Sequence, residues 1–236
     1  MSSSSSLLDA LSAVDWAKNL HSFGAVPDAV ARIEQCNRRI ALWAKQLESC
    51  DGKNPAIPFV RELQVQGHYA AALLGLALYK PSAAAMRSLV ESALYYSFFR
   101  QHPAELATLV RDPDYFLQKS DVIEFHTLHT ADFKKREQKL RLLGRLNPWY
   151  RGVSAVVHGQ IPGSWISHTS LSNVAHDDAV LFQAIQMLEE GEYLVHALFL
   201  CTVAQDLWSD FAVPVKKELL KGLTGDQKAA LGLSSL

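Results

Sequence analysis

The chain has 236 residues, and its 23 Lys and Arg nearly balance 24 Asp and Glu. No global charge draws it to nucleic acid or membrane, so any such partner must be met by a local patch. A chain this long buries roughly 70 % or more of its unfolded surface and needs no disulfide or metal to fold. Its three cysteines, Cys36, Cys50 and Cys201, have no C-x-x-C spacing and read as reduced thiols of a cytoplasmic protein.

In chain order, residues 2–6 form a polar leader without the basic start of a secretory signal. Residues 7–23 predict one amphipathic helix, ended by Gly24, and Pro27-Asp28 opens a second that runs to about Cys50. A third spans residues 58–79. Its Ala- and Leu-rich second half suits a buried helix, and its apolar run is too short to cross a bilayer. Lys80-Pro81 breaks the chain and Ser82 is a candidate N-cap for a fourth helix over 83–102. That helix packs through Met86, Leu89, Val90, Ala93, Leu94 and Phe98, yet also carries Arg87 and Glu91 one turn apart. Short helices follow Pro103 and Ser120, and residues 134–145 are strongly basic. Residues 161–173 are rich in Ser, Gly and Pro and predict a long irregular loop. A long core helix over 177–211 and two short terminal helices complete the chain. The pattern predicts a single all-α bundle of about seven to nine helices. It divides into an N-terminal extension over 1–55, a core over 56–211 and a C-terminal appendage over 212–236.

Residues 147–163 hold the densest chemistry. Pro148 suits the first turn of a helix and Gly159 its end. Between them Arg151, Ser154 and His158 share one face. An imidazole that exchanges protons near neutral pH beside a permanent guanidinium suits RNA phosphodiester cleavage. A base takes the 2′-OH proton, an acid protonates the leaving 5′-oxygen, and a cation stabilises charge on phosphorus. Metal is not required. The alternative is an interior joint in which Arg151 meets a carboxylate while Ser154 and His158 satisfy one another or the backbone.

A carboxylate in an apolar helix needs a partner, so Glu91 is expected to meet Arg87, Arg151 or His158. Lys134, Arg141 and Arg145 share a face just before the Arg151 segment and could hold an RNA backbone, or could be a solvated surface. No phosphate loop, dinucleotide fingerprint or metal-ligand spacing occurs, so no cofactor or metal is expected.

Read as Tyr150-Arg151-x6-His158-Gly159, the segment resembles the Arg-x4–6-His motif of the HEPN superfamily. Arg87-Ser88-Leu89-Val90-Glu91 resembles the R-x-L-x-E helix of one HEPN-like branch, whose later Y-x-x-x-S-x-x-x-H-G helix is matched by Tyr150, Ser154, His158 and Gly159. The likeness spans residues 60–205. It implies a helical bundle that dimerises, with Arg151 and His158 as the catalytic pair of a composite cleft and Ser154, Glu91, Arg87 and Tyr150 supporting them. It further implies a metal-independent endoribonuclease, a homodimer acting on RNA as a toxin or phage-defence effector with a cognate antitoxin or partner protein. The sequence departs from active members at Gly152, where a polar residue is common. The alternative is therefore a non-catalytic HEPN-like nucleotide-binding or interaction module.

Overall fold

The computed structural model describes residues 5–26, 28–166 and 168–234. Residues 2–4 of the polar leader, Pro27 at the expected start of the second helix, and Ser167 of the long loop lie outside them. The described residues are all-α, without a strand. The long elements are α3 (Ala29–Cys50), α4 (Ile57–Gly75), α5 (Tyr79–Phe99), α9 (Leu142–Val157) and α10 (Asp178–Cys201). Around them lie α1 (Ser5–Ala13), α2 (Trp16–Ala25), α6 (Pro103–Arg111), α7 (Lys119–His129) and α8 (Phe133–Leu140). The C-terminal pieces are α11 (Val203–Leu207), α12 (Val213–Leu219) and α13 (Gly225–Leu231).

Among the described residues thirteen α-helices stand against the expected seven to nine, in part because breaks cut three of the predicted segments. Asp15 accepts a hydrogen bond from the Lys18 N–H at 2.8 Å and starts α2 afresh, splitting the predicted 7–23 helix. Arg141, at φ +55°, separates α8 from α9. The predicted 177–211 helix stops at Cys201, where Thr202 leaves helical geometry with φ −124° and ψ −85°. Two boundaries also move. Ala77, at φ +59°, ends α4 earlier than expected: the Leu78 N–H reaches Leu73 O and the Ala77 N–H reaches Leu74 O. The fourth helix therefore starts at Tyr79 rather than after Ser82, whose hydroxyl turns back to Tyr79 O.

Pro148 does not open a helix; it lies inside α9. Its missing N–H costs one helical bond. Leu142, Leu146, Trp149, Val153 and Val156, spaced four and three apart, are all buried on one stripe, and that burial outweighs the loss.

α5 is central. It packs against α4, α9 and α10, and α10 reaches α3 as well. α3, placed by sequence in an N-terminal extension, sits on α4 and α10 with Trp43 and Leu47 fully buried. Its Arg39 forms a two-pronged ion pair with Glu192 of α10, whose side chain is only 2 % exposed. α9 lies close on α10 because Gly191 leaves room for the Trp149 indole, which donates to Met187 O at 2.8 Å.

Candidate functional site

Two packed helices build the polar cluster. On α5, Arg87 and Glu91 are one turn apart, and Arg87 Nε donates to Glu91 Oε1 at 3.0 Å. From α9, the Tyr150 hydroxyl donates to the same oxygen at 2.5 Å. Burial first, then that carboxylate, pushes the Tyr150 phenol up to about 12, so it keeps its proton and remains a donor. The Arg87 guanidinium also lies 5.0 Å from the centre of the Tyr150 ring. Glu91 thus finds Arg87 and Tyr150, and through them fixes the register of α5 against α9.

His158 is not inside the helix but caps it. Its N–H reaches Ser154 O at 2.9 Å, Gly159 follows at φ +65°, and the Gln160 N–H closes on Ala155 O at 2.9 Å. That is a Schellman ending, in which glycine supplies the left-handed residue. The imidazole is exposed to solvent, with Nε2 2.9 Å from Arg87 Nη1. A guanidinium can only donate, so His158 Nε2 accepts and the ring proton sits on Nδ1.

The residues expected to share a face differ in what they touch. Arg151 is exposed and makes no hydrogen bond or ion pair among the described residues. Its charge is felt at Lys119, whose ammonium is lowered from its usual range by burial first and Arg151 second. Lys119 in turn lies 5.2 Å from the Tyr150 ring centre and donates to Asn147 Oδ1. Ser154 Oγ is enclosed without a partner among the described residues. A side chain at Gly152 would meet Met187 Cε at 3.5 Å, so that position faces α10 and not the imidazole.

The predicted basic face disperses as well. Lys134 on α8 and Arg141 at the helix break are exposed. Arg145 instead forms a two-pronged ion pair with Glu190 of α10 and lies 3.7 Å from the centre of the Tyr193 ring. One cation escaped the sequence reading. Lys80 Nζ sits 3.3 Å from where a Cβ of Gly159 would be, hence beside the His158 turn. Within the sequence it is only one residue of a Lys-Pro break, and nothing there signals the contact.

Next to the cluster, a cavity of about 360 Å³ opens between α5, α7 and α9. Tyr95, Tyr150 and the exposed Phe116 line it, with Arg87 and Lys119 at its edge. The arrangement can receive an anion or a flat ring beside an exposed imidazole. Among the described residues no group of three or more His, Cys, Asp or Glu side chains is placed to hold a metal ion. Nor is any helix there long and apolar enough to cross a membrane.

The class that fold and site define is an all-α bundle with a solvent-facing Arg–His pair braced by a Glu–Tyr contact. Comparison with family models, curated proteins and solved structures finds no match.

Proposed function

We propose that the protein is a HEPN-like, metal-independent endoribonuclease, working as a homodimer in toxin or defence biology. The observation that supports it is the exposed His158 imidazole seated on the Arg87 guanidinium. In this reading a substrate phosphate draws Arg87 from His158 Nε2 and frees that lone pair. His158 then takes the 2′-OH proton as the 2′-oxygen bonds to phosphorus. The 5′-oxygen leaves with a proton from the partner protomer's acid, giving a 2′,3′-cyclic phosphate and a 5′-hydroxyl. Arg87 holds the charge that builds on phosphorus, and Arg151, Lys80 and Lys119 draw in the backbone. Arg151 keeps the role that the motif resemblance implies, as a cation in the composite cleft, while Arg87 is the guanidinium within reach of the imidazole.

The test is cleavage of labelled RNA by purified protein in EDTA. Wild type should yield cyclic-phosphate ends and leave all-deoxy substrate intact. His158→Ala should lose at least a hundredfold in rate with an unchanged melting temperature. Absence of cleavage by a verified wild-type dimer across varied RNAs rejects the enzyme.

The second reading, a non-catalytic nucleotide-binding or interaction module, is favoured by one observation. His158 Nε2 is occupied by Arg87, and Arg87, Glu91 and Tyr150 cross-brace two helices as a structural joint would. There, His158→Ala lowers the melting temperature by about 2–4 °C and changes no RNA phenotype.

A further inference from the structure

Arg136 belongs to the basic stretch that the sequence offers as an RNA-binding surface, yet it is only 5 % exposed. It enters the bundle from α8 and meets the broken end of α10. Its Nε donates to Cys201 O at 3.2 Å and its Nη2 donates to Ala131 O. These two contacts explain half of its presence: a cation satisfies carbonyls at a helix C-terminus, where the backbone dipole favours it. They do not explain the rest. Among the described residues no carboxylate lies within ion-pair distance of Arg136, and Nη1 has no hydrogen bond. Burial lowers its pKa from the usual arginine range, the reverse of what happens to the ion-paired Arg39 and Arg145. A buried guanidinium paired only with carbonyls is costly unless something anionic completes it.

What faces it is a cavity of about 420 Å³ between the ends of α5, α7, α8 and α11. The walls are polar. Arg100 is already held there by Asp206 at 2.5 Å and Asp51 at 3.4 Å, so it needs no further anion. Gln101 Nε2 donates to Asp206 at 3.0 Å. Gln205 Nε2 is used on Leu200 O at 2.8 Å. The tautomer of His126 follows from its neighbours. The Ser97 hydroxyl donates to Leu94 O at 2.8 Å, so Ser97 Oγ must accept from His126 Nε2 at 3.0 Å. His126 Nδ1 then accepts the Thr130 hydroxyl proton at 2.8 Å. Of the two guanidiniums lining the cavity, Arg100 is paired with carboxylates and Arg136 hydrogen-bonds only carbonyls, while the exposed His129 stands at the rim.

We infer that this cavity is a binding site for a small polar molecule carrying an oxyanion, whose charged group seats on Arg136 Nη1. The volume is that of a metabolite-sized ligand rather than of a bare ion or a polymer. Arg87 on α5 and Arg100 at its C-cap are thirteen residues apart, about 20 Å at the helical rise, so the cavity is separate from the His158 cluster and its reading stands without the nuclease.

The experiment is a titration of the full chain, followed by melting temperature and calorimetry at matched ionic strength, with inorganic phosphate, sulfate and acetate against chloride. At least one oxyanion should stabilise the wild type saturably, as ligand linkage requires. Preference among the three separates a phosphoryl or sulfuryl group from a carboxylate. Arg136→Gln should abolish the response. Because that change also removes the α10 cap, Gln205→Glu provides the second arm. A carboxylate built into the wall should weaken the anion at least tenfold, whatever the lost Gln205–Leu200 hydrogen bond does to the melting temperature without ligand. Lys134→Ala, an exposed cation on the same helix, should leave the response intact. Absence of saturable stabilisation by any of the three anions overturns the inference. So does a response that survives Gln205→Glu or disappears with Lys134→Ala.

Discussion

Gly191→Ala tests how α9 is held against α10. In a helix interior Ala is favoured over Gly by about 1 kcal/mol, so local propensity alone predicts stabilisation. Packing predicts the opposite. A Cβ at position 191 would sit 2.7 Å from Cζ2 of Trp149 and 3.2 Å from its Cε2. The indole cannot yield easily, being 5 % exposed and tied through Nε1 to Met187 O. Overpacking of this kind costs about 1–3 kcal/mol, and breaking the indole hydrogen bond costs about 1 kcal/mol more. The net expectation is a loss of about 1–3 kcal/mol, a drop of several degrees in melting temperature for a chain of this size. Urea unfolding at 25 °C, followed by circular dichroism, measures it. In a Trp149→Leu background the obstruction is gone, and the same Gly191→Ala change should stabilise, giving a coupling of opposite sign. A single Gly191→Ala variant as stable as wild type would refute the close-packing account of this glycine.

Other substitutions follow from the same contacts. Arg39→Met strands the Glu192 carboxylate between α3 and α10 and should cost about 3–5 kcal/mol in urea unfolding at neutral pH. Burial already holds the Glu192 pKa above its ordinary value despite Arg39. A carboxyl raised in the folded state favours folding at low pH and loses that advantage as pH rises, so the variant should recover stability between pH 7.5 and 5. His126 and His196 are buried neutral, their pKa values lowered by burial to about 4 and about 3. Their contribution is complete above the unfolded histidine value and is lost as pH falls toward 4, because only the unfolded chain takes the proton there. His126→Gln should therefore flatten the stability curve between pH 6.5 and 4 by about one proton of slope. Asp15→Ala should cost about 1 kcal/mol by uncapping α2.

The sequence carries the parts of this fold that depend on periodicity. The stripe of α5, Met86 to Phe98, is buried as its spacing predicts, and Gly159 takes the positive φ expected of a helix stop. What escapes it are boundaries decided by a single side chain, such as Asp15, and by tertiary satisfaction. α10 stops at Cys201 partly because an arginine sixty-five residues earlier reaches its last carbonyl. No pattern within residues 177–211 can contain that information. Gly191 reads as a small local cost until the Trp149 indole occupies its missing side chain.

The candidate site divides in the same way. Glu91 had to find a partner because its helix is otherwise apolar, and that necessity is legible in residue types alone. Which partner it found depends on the packing of α5 on α9. Shared-face logic joins Arg151 to His158, since both lie on one predicted helix. His158 keeps that register at the C-cap, its N–H still bonded to Ser154 O, but its imidazole meets Arg87 of a different element. A guanidinium braced by Glu91 is better fixed than one on an exposed side chain, because its fork is oriented by a carboxylate before any phosphate arrives. Preorganisation therefore favours Arg87 over Arg151 as the group beside the imidazole. It also makes Glu91→Gln a discriminating change. The amide still accepts from Tyr150, but the charge that orients Arg87 is gone. Under the catalytic reading RNA cleavage should fall at least tenfold with little change in melting temperature. Under the structural reading the melting temperature should fall and no RNA readout should move.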